Sequence, residues 1–388
     1  MDNRYRICDK SSTPILVGVM LDLVVRYGRD VLRGIHRGIS QRPGWRLVSM
    51  GYHGMISELP DRAPHLSGFI GAFGREDLPR IHRLFDGTVI GVSNRSRELD
   101  CSRAVNDLEA SARMIFDYLY QRYYRSFCFV GTPPGAGNFV SDGLWEAFAA
   151  LAVKKGASCA RTDVETLRWN PSSHAPGTAF VVYSDVEARY GVEILSDAGL
   201  RVPDDAAVLG VGNFELENMM SRVPLSTLLV DGERIGELAV DLLEEALEDA
   251  DPIHQTRRVP PTGILERAST QSLYARDPEI RELLLKLRGA LPTTRTSEDC
   301  AKIANIGRRT LERRFQSEFG TGIASILRRL RVDYARQLIL SRDVKLEEIA
   351  ELAGFADGRM LGLAFQKVYG ETPSAFRARY KEILRADS

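Results

Sequence analysis

The sequence predicts an α/β body of two lobes built on parallel sheets, followed by an all-α C-terminal domain with two helix-turn-helix units. Three observations carry that expectation. From Pro14 to about Thr270, short continuous apolar runs alternate with amphipathic stretches, and past Arg267 no strand pattern recurs. Formal charge divides along the same line. The 388 residues hold 52 Lys/Arg and 52 Asp/Glu, yet residues 279–388 carry 21 and 15, a net of +6, which leaves −6 for residues 1–278. A neutral chain is thus an acidic body joined to a basic region, an asymmetry that points to a polyanionic partner for the latter. With 44% apolar and 27% charged residues the chain can fill ordinary cores,.

The elements follow in order. Residues 1–13 read as a tail. Ile15–Leu21, Gly68–Phe73, Thr88–Val92, Phe127–Gly131, Ala179–Tyr183 and Ala207–Val211 are short and apolar on both faces, as strands of a covered parallel sheet should be,. Tyr27–Ser40, Leu108–Gln121, Val186–Ala198 and Gly232–Ala250 have helical periodicity between them,. The result is a βαβ rhythm, long enough for two similar lobes facing across a cleft, over residues 14–267. The run Ile15–Val25 is apolar but contains Asp22 and no small-residue cleavage site follows, so a buried first strand is expected rather than a signal or a membrane span,. Residues 268–278, polar and closed by Pro278, read as a linker to the helical domain at 279–388,.

In the helical domain, Ser297–Phe319 reads as helix, turn, helix: Cys300, Ile303 and Ala304 face a core, 305–307 turn, and a second helix runs from about Arg308. Leu311, Phe315 and Phe319 form its buried stripe,. Arg309 and Arg313 lie farthest from that stripe; Arg314 and Gln316 flank the outer face, and Arg308 sits near the stripe in the first turn,. Such a helix places two arginines for guanine edges and others for phosphates. The pattern recurs about fifty residues on. Leu346–Ala353 is a first helix, Gly354 and Phe355 turn, Asp357 caps, and 358–369 is a second helix that buries Leu361, Ala364, Phe365 and Val368,. Its outer face carries Arg359, Leu363, Gln366 and Lys367. Between the units Ile323–Ser341 forms one helix of about 28 Å, a rod able to set two reading helices near one DNA turn apart, about 34–36 Å,.

These stretches resemble AraC/XylS-type regulators, through Ile349–Phe355 (IAELAGF), Phe365–Arg377 (FQKVYGETPSAFR), Leu311–Phe315 (LERRF) and Arg331–Ala335 (RVDYA). The resemblance spans about residues 279–385 and implies double-stranded DNA as partner. It also has a departure: the family often carries polar or basic residues where Gly362 and Leu363 stand, and Gly362 costs its helix about 1 kcal/mol against alanine,. Weak base reading by the second unit, or a close approach of its backbone to DNA, follows from that.

The first 270 residues resemble the periplasmic-binding-protein-like domain of LacI/GalR regulators, through Tyr27–Ile35 (YGRDVLRGI), Val105–Asp107 (VND) and Val208–Asn213 (VLGVGN). That resemblance implies a sensor that pairs into a homodimer and closes its lobes on a small-molecule effector. Ligands settle beyond the carboxyl ends of strands in such sheets, which nominates Asp22, Phe73, Tyr183, Ser184, Asp185, Asn213 and Phe214,. Aromatic faces with carboxylates and amides suit a sugar or sugar derivative; strand-end Asp and Asn also commonly cap helices. The two domains together resemble the xylose-responsive type of bacterial regulator. Those relatives tend to place charged groups where Gly28, Leu144 and Gly212 stand here, so free xylose is not the expected effector.

Other classes fit less well. The five cysteines are scattered without a C-x-x-C pair, and the six histidines form no ligand spacing. A reducing, cytoplasmic setting with no metal or cofactor is therefore expected. Gly131–Gly137 (GTPPGAG) lacks both the P-loop ending and the dinucleotide spacing, and no nucleophile elbow or H-E-x-x-H occurs, so no enzyme is expected,. A solute-binding sensor protein without regulated DNA binding is the alternative; it accounts for the α/β body but not for the basic helical domain.

Overall fold

The computed structural model describes residues 14–49, 65–74, 76–95, 99–133, 136, 138–170, 176–249, 253–294, 296–341 and 344–386. The expected tail at 1–13, part of the glycine-rich run at 131–137, Cys8, His53 and His174 lie outside them. The chain divides into two compact units between Thr270 and Gln271.

The first unit holds two six-stranded sheets. One is wholly parallel, in the order β11-β5-β4-β3-β1-β2, from β1 (Ile15–Met20), β2 (Trp45–Ser49), β3 (Gly68–Gly71), β4 (Thr88–Gly91), β5 (Ser102–Asn106) and β11 (Thr256–Val259). The other runs β12-β10-β9-β8-β6-β7, from β6 (Ser126–Val130), β7 (Ser158–Thr162), β8 (Thr178–Val182), β9 (Ala206–Val211), β10 (Ser226–Leu229) and β12 (Gly263–Leu265). Only β12 pairs antiparallel, at the edge beside β10. The six apolar runs are the inner strands β1, β3, β4, β6, β8 and β9. The sequence pattern misses the others for a common reason. The sheet edges β2, β7, β11 and β12 meet water along one side, and β5 and β10, beside edges, carry Ser and Thr where an apolar run was sought,.

Helices cover the sheets. The first lobe has α1 (Arg26–Ser40) and α2 (Asp77–Leu84); the second has α3 (Leu108–Tyr120), α4 (Phe139–Lys154), α5 (Val164–Trp169), α6 (Asp185–Asp197) and α7 (Glu215–Met220). Helix α8 (Gly232–Glu248) returns to the first lobe, where Ala239, Val240 and Leu243 join Val31, Ile35 and Ile39 of α1 in one core. The chain crosses between lobes after β5, after β10 and after β11, so the carboxyl ends of β5 and β10 both lie at the lobe boundary. Asp107 and Asp231 cap the first two crossings, accepting from Ala110 N–H and Arg234 N–H at 2.9 Å each,.

The start of the expected linker is not extended chain. Ala268–Thr270 forms a 3-10 turn in the second lobe, with Ser269 and Thr270 buried. Ser269 and Thr270 find partners on β9 and β10: the Ser269 hydroxyl donates to Val208 O at 2.6 Å, and Thr270 Oγ1 lies 2.6 Å from Ser226 Oγ. Polar composition signalled a linker; hydrogen bonding to the sheet instead seals these residues in place.

The second unit is helical among its described residues: α9 (Pro278–Ala290), α10 (Ser297–Ala304), α11 (Arg308–Phe319), α12 (Ile323–Ser341), α13 (Leu346–Leu352), α14 (Gly358–Tyr369) and α15 (Pro373–Ala386). Val332, Ala335, Ile339, Ile349, Leu361, Phe365 and Phe376 form the core beneath α12–α15. Among the described residues no helix is long and apolar enough to cross a membrane.

Candidate DNA interface and effector site

Helix α10 starts with a capping box: Thr296 Oγ1 accepts from Asp299 N–H, and the Asp299 carboxylate accepts from Thr296 N–H,. Asn305 takes the left-handed conformation at the turn, with φ 55°. Cys300 and Ala301 are buried, whereas Ile303 and Ala304 are only half-buried, one position off the expected stripe. Along α11, Leu311, Phe315 and Phe319 are buried and Arg309, Arg313 and Gln316 are exposed. Neither Arg309 nor Arg313 has an ion-pair partner among the described residues.

The other two arginines differ. Arg308 reaches Glu298 at 3.1 Å, both side chains 58% exposed, a pair too solvated to hold the guanidinium back from a phosphate,. Arg314 is half-buried between Asp277 at 3.5 Å and Glu279, the acidic start of α9. Expected on a phosphate, Arg314 instead fastens α11 to α9; partners 35 and 37 residues away are invisible to a helical wheel.

In the second unit Asp357 caps α14, accepting from Met360 N–H at 2.7 Å. Leu361, Ala364 and Phe365 are buried, Val368 half-buried, and Arg359, Leu363, Gln366 and Lys367 exposed. Met360 joins that outer face and was not singled out from the sequence; its exposure follows from its place one residue before buried Leu361. Leu363 is 58% exposed, and a Cβ at Gly362 would meet nothing within 4 Å, so this surface is apolar and shallow at its centre. On α12, Arg328 is exposed, whereas Arg329, Arg331 and Arg336 are engaged inside the unit. Asp333 accepts from Arg329 Nε at 3.0 Å and from the Tyr369 hydroxyl at 2.5 Å, and Arg336 lies over the Tyr369 and Phe376 rings,.

At the strand ends of the first unit, the seven nominated residues separate. Asp22 is exposed; its Oδ1 accepts from Val24 N–H at 3.0 Å and the carboxylate otherwise faces solvent. Phe73, fully buried, stacks on Phe69 at 5.6 Å within the core of Leu78, Ile81 and Phe85. It is a packing residue, not a ligand platform, because its ring is fully enclosed by that core. The Tyr183 hydroxyl donates to Glu187 at 2.9 Å and the Ser184 hydroxyl donates to the same carboxylate, so both are oriented by α6. Burial, then the Glu187 carboxylate, pushes the Tyr183 phenol above its usual range.

Asp185, only 2% exposed, is fully engaged: Oδ2 accepts from Phe214 N–H at 2.8 Å and Oδ1 from the Thr227 hydroxyl at 2.8 Å. Burial raises its carboxyl to about 6 against the lowering effect of those bonds and of Arg267,. It ties the start of α6 to the start of α7 and to β10, and does not present itself to a ligand. Asn213, also 2% exposed, has φ 54°; its Oδ1 accepts from Arg267 at 2.8 Å, while its buried Nδ2 has no partner. Phe214, half-buried, begins α7.

The three positions expected to lack charged groups have packing explanations. A Cβ on Gly28 would stand 1.9 Å from the Asp22 carbonyl oxygen. Gly212 has φ 116°, and a Cβ there would strike the Phe214 ring at 2.6 Å,. Leu144 is buried within α4. Arg267 and Thr227 were missed as site neighbours. Arg267 sits in a segment read as a domain end, and Thr227 in a strand too short and polar to register. Among the described residues no group of His, Cys, Asp and Glu could hold a metal.

Comparison with known proteins agrees with this division. Residues 116–270 match the periplasmic binding protein-like domain and residues 300–379 a helix-turn-helix domain. The xylose operon regulatory protein of Escherichia coli (strain K12) is 23% identical over 376 residues, 92% of this chain and 95% of that one. Among solved structures, a xylose-binding transcription activator aligns over 95% of this chain and 98% of its own, at 21% identity and a TM-score of 0.63. A LacI family transcriptional regulator from Enterococcus faecium with bound ribose covers 67% of this chain and 99% of its own, at 15% identity and a TM-score of 0.55. The chain thus joins a periplasmic binding protein-like domain to a helix-turn-helix domain, and it is a ligand-responsive, DNA-binding transcription regulator.

Proposed function

We propose that the two helix-turn-helix units read duplex DNA unequally: Arg309 and Arg313 pair with base edges, whereas the second unit contributes Arg359, Gln366 and Lys367 around an apolar centre at Leu363. The observation that carries this is the exposure of Arg309 and Arg313 without an acidic partner, while Arg314 on the same helix is held by two carboxylates. Arg308 and Gln316 border the same face.

The effector is a small polar molecule, a sugar or sugar derivative other than free xylose, held where the strands of the two lobes end. Asp22, the Asn213 amide and Phe214 are the groups left to receive it once Phe73 and Asp185 are assigned to packing. Tyr183 and Ser184 supply oriented oxygens. Gly28, Leu144 and Gly212 offer no charged contact, and hydrogen bonds to charged groups are the strong ones, about 1.5–3 kcal/mol each. The buried Nδ2 of Asn213 favours an acceptor-bearing ligand. Arg267 binds Asn213 and also donates to Leu225 O, within three residues of the 3-10 turn at the unit boundary, so a shift of Asn213 has a direct route to the chain's exit from the sensor. The regulator acts as a homodimer in the cytoplasm. Leu216 and Met219 on α7 are 71% and 72% exposed and support pairing through that face,.

Titration calorimetry of the intact protein with D-xylose, alongside a panel of sugar acids and acetylated sugars, tests the effector reading. A panel member that binds and alters operator affinity supports it. Micromolar xylose binding overturns it.

A further inference from the structure

The two reading helices share one register. Helices α11 and α14 are each 12 residues long, and each ends at a left-handed glycine, Gly320 and Gly370. Leu361 and Phe365 are buried on α14 as Leu311 and Phe315 are on α11, fifty positions earlier. That register also pairs the outward residues. Arg359 stands where Arg309 does and Gln366 where Gln316 does, and all four are exposed. Between them the two faces differ. Leu363 takes the place of Arg313, and exposed Met360 the place of half-buried Thr310.

Leu363 and Met360 are 58% and 50% exposed and, three residues apart, are neighbours on the helix surface,. Gly362 beside them adds no side chain. In the first unit Glu312, at the matching position, accepts from Ile323 N–H at 3.2 Å at the start of α12. In the second, Thr372 does this work for α15, accepting from Ala375 N–H at 3.2 Å. Helix α14 therefore carries no carboxylate, only an apolar centre bordered by Arg359, Gln366 and Lys367. Bordering cations suit the phosphates of a duplex. The major groove between those phosphates displays one apolar group, the C5-methyl of thymine. Resting on the unequal reading proposed above, we infer that Leu363 and Met360 read thymine methyls. The second half-site then holds T·A pairs where the first, under Arg313, holds G·C. Removing a methyl and two apolar side chains from water supplies the preference, because cytosine has no methyl to offer.

Duplexes selected from a randomised pool by the full chain, then remade with deoxyuridine in place of thymine, test the inference. Deoxyuridine keeps the base pair and removes only the methyl. Each contacted methyl lost should weaken binding by the parent about fourfold, and by the Leu363→Ala/Met360→Ala variant hardly at all. Leu363→Arg should select G·C at a position where the parent selects T·A. Both side chains are exposed, so each variant should unfold at the parent temperature,. A deoxyuridine penalty undiminished in the double-alanine variant would assign the methyl to another residue and overturn the inference. A parent indifferent to deoxyuridine at every position would overturn it as well. If Arg309→Ala still relaxes one base position in that case, the unequal reading stands and only the thymine contact fails. A Leu363→Arg variant that selects the parent's sequence unchanged would place this face away from the bases and likewise overturn it.

Discussion

The carboxylate of Asp185 closes a knot between the start of α6, the Phe214 amide and the Thr227 hydroxyl. Its pKa is raised, so the charged form is the disfavoured one in the fold. An unfolded aspartate ionises near 3.9. Stability from this group is therefore fully present below about pH 4, is lost as pH climbs toward 6, and is flat above that; the loss is on the order of 3 kcal/mol,. Asp185→Asn should flatten the sensor's unfolding profile between pH 4 and 6, and an unchanged slope in the variant would mean another group is responsible. Phe73 tests the packing assignment at the same scale. Phe73→Ala should cost about 3–5 kcal/mol in denaturant unfolding, as a buried ring does, rather than alter effector affinity alone,. On α11, Arg309→Ala and Arg313→Ala should each lose about 1–3 kcal/mol of operator binding and relax preference at one base position. Arg314→Ala should mainly loosen α9 from α11, by up to about 1 kcal/mol of stability,. Equal loss of affinity with base preference intact in all three variants would contradict this division.

At the scale of elements, the two reading helices begin differently. Helix α11 starts at Gly307 without a side-chain cap, whereas α14 starts at Asp357 with one. Asp357→Ala should cost about 0.5–2 kcal/mol and fray the turn carrying Arg359, which amide exchange at 358–361 would report; exchange unchanged from the parent would rule the cap out as a determinant,. The local register of these helices was legible in the sequence because a 3.6-residue period and a few large apolar residues settle which side is buried. Edge strands were not legible, since one solvated side removes the continuous apolar run that marks their inner neighbours.

For the whole molecule, the boundary between Thr270 and Gln271 defines two bodies with separate tasks. A fragment of residues 271–388 should bind duplex DNA by itself, weakening with salt at a log–log slope of roughly −0.9 per phosphate contact. An isolated fragment that is folded yet without DNA affinity at low salt would show that the sensor unit is required for binding. The exposed α7 face gives a matching test: Leu216→Glu with Met219→Glu should convert a dimer to a monomer in sedimentation, and a dimer that persists would place the interface elsewhere.

The sequence alone determined the order of an α/β body and a helical domain, the helix-turn-helix pairs, and the outward side of each reading helix. All of these depend on neighbours a few residues apart, where periodicity and capping chemistry are strong. Tertiary structure decided which candidate groups are available. Arg314 meets its carboxylates across more than thirty residues, Asp185 meets Thr227 across 42, and Asn213 meets Arg267 across 54. Strand-end position predicted that Asp22, Phe73, Asp185 and Asn213 would be alike, but burial and long-range hydrogen bonds separate them. A polar group's availability depends on what packs against it, and that is settled only when distant segments meet.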